Sequence, residues 1–175
     1  SLVSTKPVVI TPHSDPTAKF YSLWDLLRAI PIQRADRIVA LSEMERKHLI
    51  EHEVKPEKIV IIHNGVTLPP VKGKDIGIHP MILCMARMDI IHKGQDVMLR
   101  VMKKVHKALP NIKLIMAGDG KDLPLLKGMT RNLGLKDCVE FTGFLYGADK
   151  WDYLSSCDVL SIAPRMEPFG VVYLE

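Results

Sequence analysis

The stretch Met81 to Ala117, MILCMARMDIIHKGQDVMLRVMKKVHKALPNIKLIMA, decides the fold. It opens on an apolar run, Met81 to Met85, of the kind buried on both faces of a parallel sheet, and closes on another, Ile112 to Ala117. Between them Gly94 to Leu109 reads as a helix, with Val97, Met98, Val101, Met102, Val105 and Leu109 on one stripe at three- and four-residue spacing. The methionines in that stripe read as core packing, since an unbranched thioether fills irregular gaps, and not as a cofactor box. Strand, helix and strand in this order make one right-handed βαβ unit.

The same rhythm extends in both directions. Downstream come a helix over Asp122 to Leu133, a strand over Cys138 to Phe141, a helix over Ala148 to Ser156 and a strand over Val159 to Ile162. Upstream, Pro7 to Thr11 (PVVIT) reads as a strand, and Thr17 to Ile30 as a helix with Phe20, Leu23, Trp24 and Leu27 on one face. Arg37 to Leu41 is a further strand. Ser42 and Glu45 form a capping box that starts a helix running to about Glu53, and Ile59 to Ile62 follows as a strand. Asn64-Gly65 then turns the chain, and Val66 to Pro80 loses all periodicity around Pro69-Pro70. The expectation is an α/β protein of two lobes with parallel sheets and flanking helices: 1–66, a linker over 67–80, and 81–175.

Composition narrows the function classes. Its 175 residues allow a sizeable core. The 24 Lys and Arg against 20 Asp and Glu leave a net charge of +4 without a long run of like charge, and no aromatic-rich strand supports nucleic-acid binding. Cys84, Cys138 and Cys157 are odd in number and far apart, which reads as reduced core cysteines in a cytoplasmic protein. No apolar run approaches the roughly 20 residues needed to span a bilayer, while contact with a membrane surface stays open. His48-Leu49-Ile50-Glu51-His52 fits a five-residue zinc-peptidase pattern, but nothing indicates a third ligand, and a solvated helix face explains it better.

If the second sheet is parallel, the loops after its strands emerge on one edge, where ligands bind in open α/β sheets. Ala86 to Gly94 brings Arg87 and Lys93; Gly118-Asp119-Gly120 and Thr142-Gly143-Phe144 bring tight turns; Arg165 to Glu175 brings Glu167 and Glu175. Two cations suit a diphosphate, the arginine as a fork and the lysine as a point charge. Free N–H groups between the two acids, where Val171 onward reads as a helix start, suit anions and sugar oxygens, and a carboxylate suits paired hydroxyls. These features suggest a nucleoside diphosphate as leaving group. Surface cations at a helix start are the plainer alternative, disfavoured because positive charge there is unfavourable without an anion. A dehydrogenase lacks support, since no G-x-G-x-x-G follows any strand, and no Walker lysine motif occurs. His13 ends the first strand and is either a site residue or a loop histidine bonded to local backbone.

The ordered set Ala35 to Glu43 (ADRIVALSE), Asn64-Gly65-Val66, Ala86-Arg87 with Lys93-Gly94, Ala117 to Gly120, Phe141-Thr142-Gly143 and Glu167-Pro168-Phe169-Gly170 leading to Glu175 resembles the family-four retaining glycosyltransferases, of the two-lobed B-type (GT-B) fold. The resemblance implies that Arg87 and Lys93 hold the donor diphosphate and that Glu175 holds the ribose hydroxyls. Glu167 would lie by the transferred sugar, with the N–H groups of Phe169, Gly170 and Val171. Gly143 and Phe144 would face the base, Gly118 would allow close approach, and His13 would reach the donor sugar. It implies hexose transfer from a nucleoside-diphosphate sugar of UDP or GDP type, with retention, to a glycan, lipid-linked or small-molecule acceptor, without a metal or other cofactor. Binding without turnover and a related nucleotide-sugar epimerase are the alternatives. Ala86 stands where the family has glycine, and Ala163-Pro164 where it has Pro-Ser. The resemblance also implies an internal piece with both lobes incomplete, inactive by itself.

Overall fold

The computed structural model describes residues 6–12, 32, 34–69, 74–78, 80–165, 167 and 169–175. His13 and the helix expected over Thr17 to Ile30 lie outside the described residues. The chain divides into two compact units, one of residues 1–66 with 168–171 and one of residues 67–167 with 172–175.

Among the described residues the first unit carries three parallel strands, β1 (Val9–Ile10), β2 (Arg37–Ala40) and β3 (Ile59–Ile61), in the order β1-β2-β3. Ile38, Ala40 and Ile59 turn inward against Leu49 and Val54, so the alternation of β2 is the sheet's buried face. Asp36 fixes the first pairing: its carboxylate accepts from Val8 N at 2.8 Å while its own N–H donates to the Val8 carbonyl at 2.9 Å. Helix α1 (Glu43–Glu51) starts on Ser42, whose side chain accepts from Glu45 N. The expected capping box is modified, because the buried Glu45 carboxylate reaches past Ser42 to Leu41 N at 2.5 Å. The helix ends two residues before Glu53, which takes a left-handed φ of 64° that a helix cannot continue through.

In the second unit the strands are β4 (Met81–Met85), β5 (Lys113–Ala117), β6 (Val139–Gly143) and β7 (Val159–Leu160), all parallel in the order β6-β5-β4-β7. Central β4 and β5 bury Met81, Leu83, Cys84 and Leu114 to Ala117, the two-sided burial that their unbroken apolar runs demand. The helices are α2 (Ile90–Lys93), α3 (Gln95–Ala108), α4 (Leu123–Asn132) and α5 (Gly147–Ser156).

Several local expectations change. The helix expected over Gly94 to Leu109 is α3, and the loop expected ahead of it holds the extra short helix α2; the two meet at Gly94, whose φ of 64° ends one and starts the other. The buried face of α3 runs through Gln95, Met98, Leu99 and Met102, leaving Val101 and Leu109 exposed. Gln95 and Asp96 set that phase by turning their side chains under the neighbouring loops. β6 extends to Gly143, whose carbonyl accepts from Gly118 N at 2.7 Å, while β7 stops at Leu160. Val171–Tyr173 is a 3-10 turn and not the first turn of an α-helix. Of the stretch expected as linker, residues 74–78 dock on α5: Lys74 N donates to Asp152 Oδ1 at 2.6 Å, and Ile76 N to Ser156 Oγ at 3.1 Å.

This strand order positions the site. The chain lays β4, β5 and β6 side by side in one direction and then places β7 on the other flank of β4. The loops leaving β4 and β7 therefore diverge at the sheet's carboxyl edge, the switch point where open α/β sheets bind ligands.

Candidate functional site

The β4 loop is held from three sides. Ala86 N donates to the Ala117 carbonyl at 3.0 Å and Met88 N to Asp119 at 2.9 Å, tying it to the loop after β5. The backbones come so close that a Cβ on Gly118 would overlap the Ala86 carbonyl. Gln95, wholly buried, donates through Nε2 to the Arg87 carbonyl at 2.6 Å, fixing the peptide that carries Arg87.

Asp89 lies at the centre of the loop. It is the N-cap of α2, and its Oδ2 accepts from His92 Nδ1 at 2.9 Å. An ionised carboxylate only accepts, so His92 carries its proton on Nδ1. Arg87 Nη2 lies 3.6 Å from Asp89 Oδ2 and Lys121 Nζ 3.8 Å from Oδ1, too far for strong hydrogen bonds but close enough to feel the charge. Burial works to raise the Asp89 pKa, but the His92 hydrogen bonds and the His92 and Lys121 charges outweigh it and hold the carboxyl below its ordinary value. The Arg87 side chain is 64% exposed, beside a buried anion yet open to solvent.

Lys93 closes α2, where its positive charge meets the helix carboxyl end. Its ammonium donates to Glu167 Oε2 at 2.6 Å, and both side chains are about one-fifth exposed. Glu167 is thus joined to the β4 loop across the switch point. Glu175 is held separately, its Oε1 accepting from Lys150 Nζ on α5 at 2.5 Å. Tyr173, between the two acids, has its phenol pKa raised by burial first and then by the Glu167 charge. Phe169, Gly170 and Val171 group with the first unit, where the Phe169 ring stacks on His63 with centroids 5.9 Å apart. Phe144 follows Gly143 at the end of β6 and is exposed, its ring 5.9 Å from that of Tyr146.

The second unit therefore brings Arg87, Lys93, Gly118 and Glu167 to the β4 end of the sheet edge, with Gly143 and Phe144 on the β6 side and Glu175 against α5. Sequence reasoning missed Asp89, Asp96, Lys150 and Arg165. Asp89 sits just before Ile90 to Lys93, which is an N-cap signal. Lys150 has no local signal, since its partner lies 25 residues away; Asp96 pairs locally with Arg100 one turn on, but its Arg165 partner lies 69 residues away. Among the described residues no group of three or more His, Cys, Asp or Glu side chains could hold a metal ion, and no helix is long and apolar enough to cross a membrane.

Comparison with known proteins agrees with this architecture. Residues 74–175 match the sequence profile described as glycosyl transferases group 1, and residues 2–68 match glycosyltransferase family 4. The alpha-monoglucosyldiacylglycerol synthase of Streptococcus pneumoniae is 30% identical over 155 residues, covering 80% of this chain and 35% of that protein. The D-inositol 3-phosphate glycosyltransferase of Segniliparus rotundus is 25% identical over 193 residues, covering 97% of this chain and 43% of its own length. The chain thus spans well under half the length of these relatives. Among solved structures, Anabaena Alr3699/HepE, determined in complex with UDP and glucose, superimposes with a TM-score of 0.76 at 21% identity over 95% of this chain and 49% of that one. Both sheets are of the GT-B kind, and with more than half of its residues matching the group 1 profile, the chain belongs to the family-four glycosyltransferases.

Proposed function

We propose that this chain supplies the donor site of an enzyme that transfers a hexose from a nucleoside-diphosphate sugar, with retention, to a glycan, lipid-linked or small-molecule acceptor. The observation that carries the reading is the Lys93–Glu167 contact at the β4/β7 switch point, beside a solvent-open Arg87. An ammonium has three N–H donors; Glu167 takes one, and two are left for phosphate oxygens. Arg87 adds a planar fork suited to a second phosphate edge. As the sugar–oxygen bond breaks, negative charge grows on the departing diphosphate, and these cations stabilise it more than they stabilise the ground state. Glu167 lies one hydrogen bond from Lys93, so the transferred sugar would sit against it. Glu175 then receives the ribose hydroxyls, for which its second oxygen is available. The relatives, one an alpha-monoglucosyldiacylglycerol synthase and one a D-inositol 3-phosphate glycosyltransferase, favour glycosyl transfer.

The test is a panel of labelled UDP- and GDP-sugars offered with and without acceptors to the complete natural polypeptide that carries this sequence. Transfer or slow donor hydrolysis, abolished by Glu167→Gln, is the expected result. Isomerised donor without an acceptor would identify an epimerase instead, and nucleotide binding with neither reaction would reduce the site to a binding module.

A further inference from the structure

The side chain of Arg165 makes contacts that no part of the donor reading uses. Its Nη1 donates to Asp96 Oδ1 at 2.9 Å and its Nη2 to Asp96 Oδ2 at 3.0 Å, a two-pronged pair with a carboxylate that is only 8% exposed. Nη1 also donates to the Ile90 carbonyl at 2.6 Å, an acceptor in α2. The Arg165 backbone N–H donates to the His92 carbonyl at 2.8 Å. Two residues earlier, the Ala163 carbonyl packs so closely on Gly94 that any Cβ there would overlap it. The β7 loop is therefore pinned at Ala163 and Arg165 to the segment Ile90 to Asp96, which carries Lys93, and Glu167 follows two residues after the last pin.

We infer that Arg165 and Asp96 are positioning residues: their fork-to-fork pair, with the Ile90 and His92 carbonyls, latches the β7 loop so that Glu167 meets Lys93 and faces the transferred sugar. The inference rests on the donor reading for its catalytic consequence, but the latch has a readout of its own. Lys93 is also held without the latch, by the Asp89 cap of α2 and the backbone bonds from Lys93 N to the Asp89 carbonyl and from Gly94 N to the Ile90 carbonyl. Loss of the latch should therefore release Glu167 while leaving the phosphate cations in place. Such a pair is also directional: a lysine at 165 keeps the charge but cannot reach both Asp96 oxygens and the Ile90 carbonyl at once.

The experiment compares Arg165→Gln, Arg165→Lys and Asp96→Asn in the complete polypeptide by steady-state kinetics, calorimetry with UDP and GDP, and amide hydrogen exchange at residues 165 and 167. The expected result is a kcat lowered roughly tenfold or more in Arg165→Gln and Asp96→Asn, a nucleoside-diphosphate Kd within about threefold of wild type, and faster exchange at both amides. Arg165→Lys should fall between these and wild type, and the double variant should lose no more kcat than either single one. The inference is overturned if exchange at 167 is unchanged in Arg165→Gln, or if nucleotide binding and kcat fall together in proportion to a lowered Tm. Should the wild type show no transfer, the donor reading fails by itself, and hydrogen exchange still decides whether the latch holds the loop.

Discussion

Replacing Lys93 with methionine separates the ion pair it makes with Glu167 from the phosphate contact proposed for it. The Lys93 and Glu167 side chains are 20% and 21% exposed and meet at 2.6 Å, between the surface regime, where pairs contribute ~0.2–1 kcal/mol, and the buried one, where removing one partner costs ~3–5 kcal/mol. A coupling of about 1–2 kcal/mol between Lys93→Met and Glu167→Gln is therefore expected in a double-mutant cycle on unfolding free energy. Binding should respond differently. A charge-assisted hydrogen bond to phosphate contributes about 1.5–3 kcal/mol, so Lys93→Met should weaken nucleoside-diphosphate binding by roughly tenfold to a hundredfold. Glu167→Gln frees the ammonium and should leave nucleotide affinity unchanged or raise it. Urea unfolding of the four proteins gives the coupling, and calorimetry gives the affinities. Strict additivity in unfolding, or a nucleotide Kd insensitive to Lys93→Met, would refute the reasoning.

Three further outcomes follow from the same geometry. Gly94→Ala should lower stability by about 2 kcal/mol or more, read as a drop in Tm, because it adds a left-handed backbone cost of ~1–2 kcal/mol to a Cβ overlap with the Ala163 carbonyl. Asp96 has its pKa lowered chiefly by the Arg165 hydrogen bonds, against the effect of burial and with help from the Arg165 and Arg100 charges. Since the folded value lies below the unfolded one, its stabilisation is complete above about pH 4 and lost as pH falls through the depressed value; Asp96→Asn should flatten that acid limb in a Tm-versus-pH series. Burial pushes the Cys84 thiol up to about 12, so a maleimide at neutral pH should leave Cys84 unlabelled in the native protein and label it after denaturation.

The unbroken apolar runs made the second sheet legible, because two-sided burial leaves the interiors of β4 and β5 no room for polar residues. Element ends were less legible. Gly94 reads as a helix start and is one, yet the loop expected ahead of it holds the short α2, which ends at the same left-handed Gly94 against the Ala163 backbone, some seventy residues later in sequence. The stripe on α3 was misphased for a related reason: Gln95 and Asp96 look like surface polar residues until Arg87 and Arg165 supply their partners. Arg87, Lys93, Glu167 and Glu175 stood out because charge in glycine- and proline-punctuated loops is conspicuous. Two of their supports, Lys150 and Arg165, did not, since a pairing between distant residues leaves no spacing to read.

The central claim is the proposal that a nucleoside diphosphate binds at the β4/β7 switch point on Arg87, which lies beside Asp89 while most of its side chain stays open to solvent. Calorimetric titration of the complete polypeptide with UDP and with GDP, wild type against Arg87→Ala, tests it most directly. The account predicts saturable binding of at least one nucleotide, weakened roughly tenfold or more by Arg87→Ala. Absence of binding to either nucleotide, or equal affinity in the variant, would contradict it.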